Sequence, residues 1–247
     1  MEASERLIVA ADYSPKEHGG IQGVEAKVMD LAKSLAGLGV YIKINSILRA
    51  VGYGLITRLH DLGLKVFADL KLIDIPNTMK TDGELLLEER PEILTVMCCA
   101  GIDGMNAVQK VVGGDTKVFG VTVLTSLNEE ECQAIFTCST RAGVLRFARM
   151  AKLAGLGNLI LAPGEIEVVK DRFELMLSLN TPNVRPEWHM DGEDDQVKER
   201  TLTPQKAIKN GADRIVMGRP IIKAKDPKEA VVKTLEEIEA ALEEKGN

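Results

Sequence analysis

Apolar residues in this chain fall into short dense runs, separated by stretches where they recur every three or four positions. The dense runs are Leu7–Asp12, Tyr41–Asn45, Lys65–Lys71, Ile93–Cys98, Lys117–Leu124, Leu159–Leu161, Leu175–Thr181 and Arg214–Arg219. VFADLK and VFGVTVL are apolar at nearly every residue, as in strands covered on both faces. Stretches between the runs, such as Val24–Leu38 and Met105–Val112, read as helices. Strands alternating with helices imply a parallel sheet. Eight such units in 247 residues fit an α/β fold closed as a (β/α)8 TIM barrel, one domain over residues 1–247. An open doubly wound sheet is the alternative, but no G-x-G-x-x-G follows the first run. The last segment, Asp226 to Lys245, places Val231, Leu235, Ile238 and Leu242 on one helical stripe and its glutamates on a solvated face.

Composition narrows the function classes. Thirty-one Lys and Arg stand against 37 Asp and Glu, a net charge of −6, which argues against a nucleic-acid partner. No apolar run reaches about 18 residues, the length a membrane helix needs. The start, MEASERLIVAAD, lacks the basic and apolar regions of a signal peptide, so a cytoplasmic protein is expected. Cys98 and Cys99 are adjacent, Cys132 and Cys138 are six apart, and His18, His60 and His189 lie elsewhere. That spacing does not suit zinc, and the thiols read as small buried hydrophobes.

Chemistry concentrates in FADLKLIDIPNTMKT. Asp69 and Lys71 are two apart, so on a strand they share a face at the C-terminal end, where barrels build active sites. Asp74 follows just past the strand, before Pro76. Three charges after an apolar run are costly to bury without a purpose; an ion pair bracing the barrel rim is the bland alternative. Lys43 lies between Ile42 and Ile44 in YIKIN. If the isoleucines pack outward, Lys43 points into the barrel mouth and needs an anion, with Asp69 or Asp12 the natural candidates. GADRIVMGRPI places Gly218 and Arg219 at the end of strand eight, the usual phosphate site of barrels. The longest irregular stretch, Thr181–Thr203, follows strand seven and reads as a lid around residues 182–202.

Together these residues resemble the orotidine 5′-phosphate decarboxylase family. The resemblance runs from LIVAAD through VFADLKLIDIPNT and VTVLTS to TPNVRP, DDQ and VMGRPI, in the family's order. Its most specific element is D-x-K-x-x-D-I-x-x-T: Asp69, Lys71, Asp74, Ile75 and Thr78. The resemblance implies that Asp69, Lys71 and Asp74 are catalytic, and that Asp74, Ile75 and Thr78 serve the partner's active site in a homodimer. It gives Asp12 and Lys43 the ribose hydroxyls and the orientation of the charged array. Thr125 and Ser126 would meet the pyrimidine, and Arg185, Gln196, Gly218 and Arg219 the 5′-phosphate. No cofactor or metal is implied. Two positions depart from the family: Met97 stands where many members have His, and Asn183 where many have Gly. The second is mild, because Asn tolerates a left-handed backbone.

The implied reaction takes CO2 from C6 of orotidine 5′-phosphate and yields uridine 5′-phosphate. The carbanion lies in the ring plane, outside the π system, so the barrier must fall by about 20 kcal/mol or more. Repulsion between Asp69 and the substrate carboxylate supplies only ~4 kcal/mol at 4 Å and an effective dielectric of 20. The larger part must come from Lys71 stabilising and protonating C6 in a site closed to water. Two other readings are a Mg-dependent sugar-phosphate decarboxylase or hexulose-phosphate synthase, and a non-catalytic phosphate-ligand barrel. In the metal-dependent relatives strand two typically presents a Glu to Mg²⁺; Lys43, a cation, stands in that place here.

Overall fold

The structure is a computed structural model describing residues 1–189 and 202–246. Its strands form a closed parallel barrel in sequence order. They are β1 (Leu7–Ala10), β2 (Tyr41–Ile44), β3 (Lys65–Leu72), β4 (Ile93–Met97), β5 (Lys117–Val121), β6 (Asn158–Ile160), β7 (Ser178–Thr181) and β8 (Arg214–Met217). Helix α1 (Gly20–Leu35) follows β1, α2 (Ser46–Val51) and α3 (Gly54–His60) follow β2, and α4 (Pro76–Leu86) follows β3. Then come α5 (Gly101–Val112), α6 (Glu129–Phe136), α7 (Thr140–Leu153), α8 (Ile166–Lys170), α9 (Pro204–Asn210), α10 (Arg219–Ile222) and α11 (Pro227–Gly246).

Each dense apolar run overlaps a strand, and the expected (β/α)8 barrel is the one observed. The bounds differ for local reasons. β1 stops at Ala10, leaving Asp12 beyond it, and β8 stops at Met217, so Arg219 opens α10 rather than ending a strand. β7 starts only at Ser178, because Met176 takes φ 46° and turns the chain. Helix α1 begins at Gly20 and ends at Leu35, where the expectation was Val24–Leu38. Gly37 and Gly39, at φ 79° and 73°, stop it early.

Strand periodicity divides the core in two. Outward side chains such as Ile42, Ile44, Val66 and Ala68 pack against the helices in one large cluster. Inward ones, Ile8, Ala10, Tyr41, Phe67, Ile93, Phe119 and Val216, fill the barrel. Phe67 and Phe119 meet at its centre with ring centroids 5.9 Å apart, so the interior is packed and the site must lie above this layer. On α11, Val231 and Ile238 are fully buried while Leu235 and Leu242 pack partly against the core, as the stripe predicted. The cysteines need a correction: Cys98 and Cys132 are buried, but Cys138 is only partly so and Cys99 is exposed. Cys99 falls on the first turn beyond β4, where its side chain meets solvent.

Candidate active site

Above the aromatic layer, four charges from three strand ends alternate in sign. Lys43 points inward, as its parity with the isoleucines predicted. Its Nζ lies 3.0 Å from both Asp12 carboxylate oxygens and 3.2 Å from Asp69 Oδ2. Asp69 Oδ2 in turn accepts from Lys71 Nζ at 2.6 Å. Lys43 and Asp69 are each 8% exposed at the side chain, whereas Lys71 and Asp12 are 37% and 44% exposed and reach toward solvent. Burial would by itself raise the Asp69 carboxyl, but Lys43 and Lys71, with hydrogen bonds from Lys71 and Thr95, hold it below the usual carboxylate range. Burial would lower the Lys43 ammonium, but Asp12 and then Asp69 outweigh it and leave it above its ordinary value. The Asp69 contribution to stability is therefore present above the ordinary carboxylate range and fades as pH falls through the lowered value. That of Lys43 fades only as pH rises through its raised one. Across the neutral range Asp69 and Lys43 both stay charged.

Lys71 does not reach Asp69 by simple strand alternation. The β3–β4 register shifts between Ala68 and Leu72, and Lys71 takes φ 49°, a left-handed conformation that costs a lysine roughly 1–2 kcal/mol. The bulge re-aims the ammonium. Its loose backbone groups are satisfied by side chains. The Lys71 N–H donates to Thr95 Oγ1 at 2.9 Å, the Thr95 hydroxyl donates to Asp69 Oδ1 at 2.9 Å, and Arg49 donates to the Leu70 carbonyl. Thr95 is fully buried, so it orients the Asp69–Lys71 pair from the neighbouring strand without facing the cavity. Sequence reading passed over it, although a polar residue inside ILTVM, in step with inward Ile93, was the available signal. Thr95→Val should lower kcat about 10–100-fold with KM little changed, because Lys71 loses its backbone anchor. Thr95→Ser should restore the rate; equal damage from both substitutions would deny the hydroxyl this role.

A cavity of about 410 Å³ opens over the array, a size suited to a nucleotide-sized ligand. Asp12, Lys43, Asp69 and Lys71 line it together. Arg185, Gly218 and Arg219 also line it, with Thr125 on the wall after β5. Arg185 is 8% exposed; the pairing of Val184 with Leu202 and the bond from its own N–H to the Leu202 carbonyl hold it in place. Asn183 adopts φ 64°, the left-handed geometry that Asn tolerates better than most residues. Asn45, not anticipated, lines the cavity while its side chain caps α2.

Other expected site residues stand apart. Ser126 is exposed and outside the cavity lining, on the turn where Leu127 N–H bonds the Leu124 carbonyl. Asp74, Ile75 and Thr78 are also outside it. Asp74 is exposed and accepts the Ile75 N–H at 2.6 Å. Ile73 and Ile75, on either side, are 58% and 66% exposed. Gln196 lies outside the described residues, as does most of the expected lid. Among the described residues no group of three or more His, Cys, Asp or Glu is placed to hold a metal.

Known proteins are similar to this chain in sequence and fold. The profile described as "Orotidine 5'-phosphate decarboxylase / HUMPS family" matches residues 5–234. An orotidine 5′-phosphate decarboxylase of Carboxydothermus hydrogenoformans is 35% identical, covering 97% of this chain and 98% of its own. One from Streptococcus sanguinis is 36% identical over 77% of this chain and 83% of its own. The crystal structure of the Lactobacillus acidophilus orotidine 5′-phosphate decarboxylase superposes with a TM-score of 0.75 at 27% identity, covering 95% of this chain and 99% of that one. A barrel that gathers alternating aspartates and lysines at its mouth, matched along almost its whole length by these relatives, belongs to the orotidine 5′-phosphate decarboxylase / HUMPS family.

Proposed function

We propose that this protein decarboxylates orotidine 5′-phosphate to uridine 5′-phosphate without a metal or cofactor, the final step in making that pyrimidine nucleotide. The observation that carries this reading is the alternating Asp12–Lys43–Asp69–Lys71 array. The Lys43 ammonium sits between two carboxylates, in the space a divalent cation would need, and would repel one. That supports the decarboxylase reading over the Mg-dependent branch of the same superfamily.

In this reading the phosphate docks on Arg185 and Arg219 beside Gly218, where planar guanidinium forks suit its oxygens. The ribose hydroxyls meet Asp12 and Lys43, and Thr125 approaches the pyrimidine. The C6 carboxylate is then directed at Asp69, whose charge two lysines maintain. As the C6–carboxylate bond breaks, its electron pair stays on C6, and CO2 leaves. Lys71 stabilises that pair and donates a proton to C6, then recovers one from solvent. The array is fixed before substrate arrives, so little reorganisation is required as charge develops.

Asp74 has no place in its own cavity. We infer that it completes the site of a second copy, reached across a contact made by the exposed Ile73 and Ile75 with α4. No helix among the described residues is long and apolar enough to cross a membrane. We place the enzyme in the cytoplasm with its charged nucleotide substrate.

The test is turnover by purified protein after exhaustive EDTA treatment, followed as loss of orotidine 5′-phosphate absorbance. Full activity in EDTA is expected. Activity lost to EDTA and restored by Mg²⁺ would move the protein to the metal-dependent branch. Binding without turnover would leave a phosphate-ligand barrel.

A further inference from the structure

The N-terminal end of the barrel strands, opposite the active site, carries a second concentration of charge. Lys65, Lys117 and Arg214 are the first residues of β3, β5 and β8. All three face inward. Lys65 Nζ lies 5.5 Å from the Tyr41 ring centre, and the Arg214 guanidinium lies 5.9 Å from Tyr41 and 5.8 Å from Phe119. Lys117 pairs in register with inward Ile93. Among the described residues Glu5 and Glu92 are the carboxylates that act on Lys117, and both are engaged. Glu5 bonds Lys65 at 2.9 Å, while Glu92 accepts the Val66 N–H at 2.6 Å and meets His60 Nε2 at 3.2 Å.

Arg214 and Lys117 therefore form no ion pair among the described residues. Arg214 is 4% exposed, and among the described residues its guanidinium donates to Asn180, whose Oδ1 accepts from Nη1 at 3.3 Å. Its Nε is buried with no hydrogen-bond partner, as is the hydroxyl of Ser178, two residues before Asn180 on β7. A buried donor left without a partner is destabilising. Burial, then the fields of Arg214 and Lys65, push the Lys117 ammonium below its ordinary value. Stacking on Tyr41 and Phe119 softens the charge of Arg214 but gives its N–H nothing to donate to.

We infer that the barrel floor binds a small inorganic anion, of chloride or phosphate class, between Arg214 Nε, Ser178 Oγ and the Lys117 ammonium. The anion accepts the two orphaned donors and relieves the repulsion among the three cations. Lys117 is exposed, so the site opens to solvent through the floor, separated from the active site by the Phe67–Phe119 layer. Its effect falls on stability rather than on chemistry.

Thermal unfolding at constant ionic strength tests this, with gluconate replaced by chloride or by inorganic phosphate. At ten times its dissociation constant, a bound anion should raise Tm by about 3–5 °C. Phosphate also has the active-site arginines to visit, so the same titrations are run on Arg219→Ala, where the floor response should persist. Lys117→Met, at an exposed position where folding is not at stake, should abolish it; Arg214→Met should do the same if it folds. A Tm indifferent to both anions would overturn the inference, leaving water on those donors. So would a response retained in full by Lys117→Met, or one that Arg219→Ala removes. In bromide-soaked crystals an anomalous peak beside Arg214 Nε is expected, and its absence would count equally against the site.

Discussion

Lys71→Ala should lower kcat by about 10⁵-fold or more while leaving substrate affinity within roughly tenfold. The substitution removes two contributions at once. A positioned proton donor is worth about 10²–10⁴-fold, and a fixed charge aimed at a developing anion about 10²–10³-fold. Affinity should survive because the proposed phosphate contacts, Arg185 and Arg219, are left intact. Asp69 would keep Lys43 at 3.2 Å and the Thr95 hydroxyl at 2.9 Å, so the array should not collapse. Stability should fall modestly, since alanine keeps the Cβ that is strained at φ 49° and buried Asp69 loses one of its two lysine partners. Steady-state kinetics with a parallel binding titration separate the two effects. A loss confined to KM would make Lys71 a binding residue and remove the proposed proton donor.

Asp74→Ala should also be severe, about 10³-fold or more in kcat, though this carboxylate lies outside its own cavity. An exposed aspartate between two exposed isoleucines has no obvious work within one chain. In a two-fold assembly each site would draw Lys71 from one chain and Asp74 from the other. Mixing Lys71→Ala with Asp74→Ala under subunit exchange then gives a specific number. Half the dimers become mixed, each with one site carrying both defects and one carrying neither, so about a quarter of wild-type activity should return. If Asp74 acts on its own chain, every site keeps a defect and nothing returns. A flat result, with exchange confirmed by mass spectrometry, would sink the shared site and leave the decarboxylase reading standing.

The barrel was legible because strand periodicity is a local signal. Lys43 between two isoleucines could be assigned to the barrel mouth from parity alone, and the ion pairs with Asp12 and Asp69 followed from the cost of leaving it unpaired. What was not legible was tertiary. The i, i+2 argument brought Asp69 and Lys71 together for an incomplete reason. Their contact runs through a bulge and a left-handed lysine, held by a threonine on the next strand. Nothing near Lys71 in sequence announces Thr95. Likewise, Lys65, Lys117 and Arg214 stand far apart in the chain, and only closure of the barrel gathers them at its floor. Ser126 adjoins Thr125, yet a one-residue step on a turn leaves it outside the cavity lining.

In the proposed mechanism Lys71 stabilises negative charge at C6 of the bound nucleotide. A uridine 5′-phosphate analogue bearing an anionic oxygen at C6 places that charge where the carbanion would form. Its affinity is best compared with that of uridine 5′-phosphate itself, which has the same phosphate and ribose. Wild-type protein should bind the analogue at least about 10²-fold more tightly than the plain nucleotide, as expected for a transition-state mimic, and Lys71→Ala should erase that excess. Equal affinity for the two nucleotides in wild type, or an excess that survives in Lys71→Ala, would contradict the account.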